Sequence, residues 1–200
     1  ANLVQVGLGV RASLTSRGPL RKMSEVNNGA EAAGFARFNF AAASTRDSIV
    51  YAAERAGMRN EYDRPGAIPP AAMEEWSKFM KEQGIVRGVS LMSEEEMTWF
   101  PEPGLLASEV LPRYDHVLTS KPGASRELTR LLREAEEAGE KVVIHCCAGQ
   151  HRTGMALATW LVDRHGLSPE VAMEEVMTQA SACNVRRGSN AEKVKAWLSH

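Results

Sequence analysis

The sequence predicts an α/β protein with a central, mainly parallel sheet of about four to five strands flanked by helices. Short β-branched runs, of which Val142-Val143-Ile144 is the clearest, alternate with longer segments whose apolar residues recur at helical spacing. Gly and Pro mark the breaks between them, as short connections require. The 200 residues, 44% of them hydrophobic, suffice for one domain with a real core.

Residues 1–45 are weakly patterned and are expected to form a flexible or partly anchored arm ahead of a domain over 46–200. Arg11, Arg17, Arg21 and Lys22 all precede the first acidic residue, Glu25. A basic, acid-free opening is the composition of an organelle transit peptide or its remnant, and Val10-Arg11-Ala12 looks like a plastid processing site. The same arm, together with Arg186-Arg187, is a candidate contact for a protein partner. Phe35, Phe38 and Phe40 alternate around small and polar residues, which predicts a strand laid against the domain.

A strand is expected over 48–53, then a loop over 57–70, where Arg59, Tyr62 and Arg64 are placed to line a substrate entrance. Pro70 opens a helix with Met73, Trp76, Phe79 and Met80 on its apolar face, and Gly84 ends it. A strand follows over 85–91. Ser93 with Glu96 three positions later makes a capping box for a short helix through Thr98. Residues 105–111 fit either helix or loop, 113–119 reads as a short strand, and 120–123 as a turn. Ser125 is placed to cap a helix with Leu128, Leu131, Leu132 and Ala135 on one face, closing near Gly139. Beyond the central strand, one helix is expected from Met155 to His165. Another, opened by Ser168-Pro169, carries Met173, Val176, Met177 and Ala180 on one face, and a last one spans 190–198.

Between central strand and following helix lies His145-Cys146-Cys147-Ala148-Gly149-Gln150-His151-Arg152-Thr153-Gly154. Its backbone N–H groups converge at a helix N-terminus, where unpaired donors and the macrodipole favour an anion, and Arg152 can grip two oxygens at once. Phosphate fits that description. Cys146, at the strand end, faces the anion as a nucleophile.

His-Cys, five residues, Arg, then Thr resembles the signature loop of the protein-tyrosine-phosphatase superfamily, cysteine-dependent enzymes that pass through a phosphocysteine intermediate. Asp115 lies 31 positions ahead of the cysteine (146 minus 115), a spacing similar to that of the dual-specificity branch, and the resemblance covers about residues 48–198. It implies in-line attack by Cys146, with the phosphoryl oxygens held by Arg152 and the backbone N–H groups of Cys147, Ala148, Gly149, Gln150, His151 and Arg152. Asp115 would protonate the leaving oxygen and then act as base on water. Thr153 would donate to the departing thiolate, and His145 would bond the loop backbone. Such chemistry calls for no cofactor and no metal. The implied substrate is a protein phosphorylated on Ser, Thr or Tyr.

Other readings share parts of the pattern. A rhodanese-like sulfur carrier has the Cys-to-Arg loop without an upstream acid. Ala148-Gly149 resembles glucan phosphatases, which have Gly where His151 stands. Gln150 and His151 add no permanent charge, unlike the lysine-bearing loops of enzymes acting on inositol lipids. A catalytically idle domain serving as a docking subunit has the same fold. Asp163 and Glu109 are poorer acids than Asp115, the first by its helix and the second by its spacing.

The net charge of −1 gives no footprint for nucleic acid, and no apolar run reaches the roughly 18 residues of a membrane span. Three cysteines make no disulfide framework, which points to a reducing compartment, cytosol or plastid stroma.

Overall fold

Val142, Val143 and Ile144 are apolar on both sides of the chain, and such a run is stable only where both faces of a sheet are covered. The computed structural model, which describes residues 34–101 and 111–200, places them at the centre. Five strands, β1 (Ala41–Ala42), β2 (Val50–Glu54), β3 (Ile85–Ser90), β4 (Arg113–His116) and β5 (Lys141–Cys146), form one sheet in the order β1-β2-β5-β3-β4. All neighbours are parallel except β1, which runs antiparallel along β2.

Helices α1 (Pro70–Glu82), α2 (Glu94–Met97), α3 (Ala124–Glu137), α4 (His151–His165), α5 (Pro169–Ala182) and α6 (Ala191–Leu198), with short 3-10 turns at Arg37–Asn39 and Asn60–Tyr62, complete the described elements. Alternation along β5 sends Val142 and Ile144 into a core with Leu128 and Leu132 of α3, Leu157 and Trp160 of α4, Val176 of α5 and Trp197 of α6. Val143 enters a second core with Trp76 and Met80 of α1, Met92, Phe100 and Leu111. Each fully buried large side chain contributes about 1.5–3 kcal/mol. No helix among the described residues is long and apolar enough to cross a membrane.

Several local expectations are corrected. Phe35, Phe38 and Phe40 do not form a strand: Arg37–Asn39 is a tight turn with Phe38 and Asn39 both at positive φ, and pairing with β2 begins only at Ala41. Aromatic packing decides this, since Phe38 and Phe40 both lie against Phe79 of α1. Ser125 does not cap α3. Its N-cap is Gly123, at φ +78°, and Ser125 is buried in the first turn. Met177 of α5 is exposed, off the buried face of Met173, Val176 and Ala180. The helix after the loop starts four residues earlier than its apolar run, at His151, so Arg152 and Thr153 belong to its first turn. Residues 105–110, Glu109 and the basic residues of 1–33 lie outside the described residues.

Candidate active site

β5 ends at Cys146 and α4 begins at His151, so only residues 147–150 turn the chain. Four successive carbonyls of that turn are held from outside. Cys147 O accepts from the amide of Arg55 at 2.9 Å, and Gln150 O from the amide of Gly188 at 3.4 Å as well as from that of Gly154 in its own helix at 2.7 Å. Asn39 Nδ2 donates to Ala148 O at 3.0 Å and to Gly149 O at 3.2 Å. Arg187 Nη1 donates to Gly149 O at 2.9 Å. Amide planes pinned with their oxygens outward turn their N–H groups toward the loop's centre, a disposition that suits an anion at the start of a 15-residue helix.

Gly149 is required by this geometry. It has φ +63°, and a Cβ there would lie 2.4 Å from Ala53 O and 2.7 Å from Glu54 N, so no other residue lets the loop rest on the end of β2.

Cys146 stands at the base of the concavity, 3% exposed, and Thr153 Oγ1 donates to its sulfur at 3.1 Å. Arg152 crosses to α2. Its Nη1 donates to Leu91 O at 2.9 Å and to Glu96, and its Nη2 to Glu96 Oε1 at 2.7 Å. This end-on grip fixes the guanidinium plane and leaves the Nε edge for an oxyanion. Burial alone would raise the Glu96 carboxyl, but hydrogen bonds from Arg152, Cys147 and Ser93 prevail and hold it down at about 2. The same pairing pushes Arg152 further up.

Cys147, half-buried, donates its thiol proton to Glu96 Oε1 at 3.0 Å. Burial first, then the Glu96 carboxylate, push its thiol up to about 12, so it stays protonated beside Cys146.

His145 is fully buried on the opposite face of β5, and burial pushes its imidazole down to about 4. Nδ1 lies 3.3 Å from Cys146 O, which only a protonated Nδ1 can use, so Nε2 is the acceptor for the Tyr114 hydroxyl. Tyr114 reaches it across β3 because residue 88 is glycine: a Cβ there would lie 2.6 Å from the Tyr114 ring.

Asp115 is the third residue of β4. Its register partner is Val89 on β3, whose own partner on β5 is Ile144. It therefore lies two strands from β5, inside a strand, and the connection beyond, residues 117–123, contains no carboxyl. Asp163 is tied to Arg133 of α3 at 2.8 Å. Gln150 is the N-cap position of α4, and His151, its first residue, is exposed.

Sequence reasoning missed the groups that hold the loop. Asn39 and Arg187 clamp it from behind; Arg187, considered as a partner contact, is instead buried, with its Nη2 donating to Asn39 O and Ala52 O. Burial pushes Arg187 down to about 10. Glu96 carried a signal, its capping box, but that signal spoke only of the helix.

A cysteine at the carboxyl end of a central parallel strand, a tight turn and an arginine in the first turn of the next helix fit the fold of a phosphatase of the dual-specificity family. Residues 70–196 match the family model PTP-SAK, described as a Swiss Army Knife protein, DSP-PTPase phosphatase domain, and the chain belongs to that family. Among solved structures it is similar to kinase associated phosphatase (KAP) carrying a serine in place of its catalytic-site cysteine. That match has a TM-score of 0.58 and 14% identity, covering 80% of this chain and 95% of that one. PTPMT1 in complex with PI(5)P follows at 0.55 and 15%, covering 80% and 97%. Human DUSP28 gives 0.50 and 13%, covering 80% and 91%. At these identities the likeness concerns the fold. No curated protein matches the chain.

Proposed function

We propose that the chain is a cysteine-dependent phosphomonoester hydrolase of dual-specificity type, acting on proteins phosphorylated at Ser, Thr or Tyr. The observation that carries the reading is the concavity itself: carbonyls 147–150 bonded outward, Cys146 at its base and Arg152 on its wall. Cys146 Sγ attacks phosphorus, the bond to the ester oxygen breaks, and that oxygen takes a proton. Loop amides and the Arg152 guanidinium hold the three equatorial oxygens as charge moves across them. Water then attacks the phosphocysteine, the P–S bond breaks, and the Thr153 hydroxyl stabilises the departing sulfur.

Asp115 is proposed as proton donor and later as base on water. Its support is the spacing to Cys146 and its place on the strand that feeds the 117–123 connection. Phosphoprotein is favoured over polyphosphorylated inositol because Gln150 and His151 bring no fixed charge into the loop. A reducing compartment suits three cysteines that stand as free thiols.

The test is turnover of p-nitrophenyl phosphate, then of phosphotyrosine peptide, phosphoserine peptide, phosphoglucan, inositol phosphates and PI(5)P. Cys146→Ser should abolish turnover and retain anion binding; wild-type rates in that variant would refute the mechanism. Asp115→Asn should lower kcat about 100-fold or more on substrates with poor leaving groups. An unchanged rate there moves the acid elsewhere.

A further inference from the structure

Glu54 closes β2, stands opposite Cys146 in the β2–β5 register, and is 3% exposed. Register partners on parallel strands project to the same face, so its side chain shares the Cys146 side of the sheet. Its main chain abuts the loop, its amide lying where Gly149 nests, while its carbonyl accepts from Trp76 Nε1 of α1 at 2.9 Å. The proposed reaction makes no use of this carboxyl.

The charges acting on it come from two places, Arg186 and Arg187 from the segment between α5 and α6 and Arg55 from the exit of its own strand; Cys146 is the titratable group beside it on β5. Two of the arginines direct their donors elsewhere. Arg55 bonds the carbonyls of Ala56, Gly57 and Arg59 and the carboxylate of Asp63. Arg187 bonds the carbonyls of Gly149, Arg186, Asn39 and Ala52. Arg186 lies over the ring of Phe35. Burial therefore outweighs the cations and pushes the Glu54 carboxyl up to about 7.

We propose that Glu54 is a positioning residue of the anion loop whose proton sets how tightly the loop holds a dianion. Protonated, it adds no charge beside the concavity; ionised, it repels a phosphoryl group docked there. The inference rests on reading the loop as a phosphate site.

Tungstate, a dianion over the range needed, is the probe. Its affinity is measured by tryptophan fluorescence on the full chain carrying C146S, which removes the reactive thiol, and on C146S/E54Q. From about pH 6 to about pH 8 the C146S chain should lose about tenfold in affinity, with its midpoint near 7, while C146S/E54Q keeps its acid-side affinity. The imidazole of His151 is present in both chains and cancels in the comparison. Superimposed profiles overturn the proposal. If the double variant does not fold, a C146S profile that stays flat overturns it alone. A chain that binds no tungstate at any pH removes the loop as an anion site and the proposal with it. If the profiles split but the wild-type chain hydrolyses no phosphomonoester, the hydrolase reading falls and the role of Glu54 stands; hydrolysis with superimposed profiles gives the reverse.

Discussion

Replacing Glu54 by Gln should change the pH dependence of stability with a definite sign. Folding moves the Glu54 carboxyl from 4.5 to about 7. Between those values the folded chain holds a proton that the unfolded chain has released, so stability falls as pH rises through the window. One pKa unit is worth 1.36 kcal/mol, so the full cost above pH 7 is about 3 kcal/mol. His145 acts in the opposite sense. Burial moves it from 6.5 to about 4, so in its window the unfolded chain holds the extra proton and stability rises with pH, by about 3 kcal/mol at most. Glu96, held down at about 2, contributes stability above 4.5 that is lost only as pH falls toward 2, outside this window.

The wild-type curve should therefore be nearly flat from about pH 4.5 to about pH 6.5, where the two slopes cancel. E54Q should climb steadily over the same range. At about pH 8 the variant should be more stable by about 3 kcal/mol, and at about pH 4 the two should agree. Urea denaturation at each pH, with the m-value unchanged, reads the difference directly. Parallel curves would show that Glu54 is not neutral in the folded chain, and the reasoning would be refuted.

Two further outcomes can be checked. Thr153→Val removes the hydroxyl that donates to Cys146 Sγ at 3.1 Å and should slow breakdown of the phosphocysteine about tenfold, seen as a burst followed by a reduced steady-state rate. A steady-state rate equal to wild type would remove Thr153 from the mechanism. Gly149→Ala forces a methyl group to within 2.4 Å of Ala53 O at a positive φ and should cost about 1–3 kcal/mol in urea denaturation while weakening tungstate binding. Unchanged affinity would mean that the loop shape does not depend on this contact.

The central strand ending at Cys146, the tight turn after it, the helix that carries Arg152 and the alternating strands and helices were legible because the information is contiguous. Val142 through Gly154 states strand, loop and helix in one run. What was not legible comes from far along the chain. Asn39 reaches Ala148 across 109 positions, and Arg152 reaches Glu96 across 56. Neither Asn39 nor Arg187 carries a local pattern: one sits in a tight turn at positive φ, the other in what reads as a pair of surface charges. Local signals also competed. Ser125 has the chemistry of a cap, yet Gly123 in the left-handed conformation turned the chain first. The apolar run from Met155 hid the first turn of α4, whose residues His151, Arg152, Thr153 and Gly154 carry no apolar side chain to mark it.

Glu96 belongs to two devices at once. Its Oε2 accepts from the amide of Ser93, closing the capping box of a four-residue helix, and the same carboxylate grips the Arg152 guanidinium. Helix signal and recognition element are therefore a single heritable unit. A substitution that merely loosens the turn therefore also frees the arginine from its partner, because one carboxylate ties the start of a surface helix to the first turn of α4.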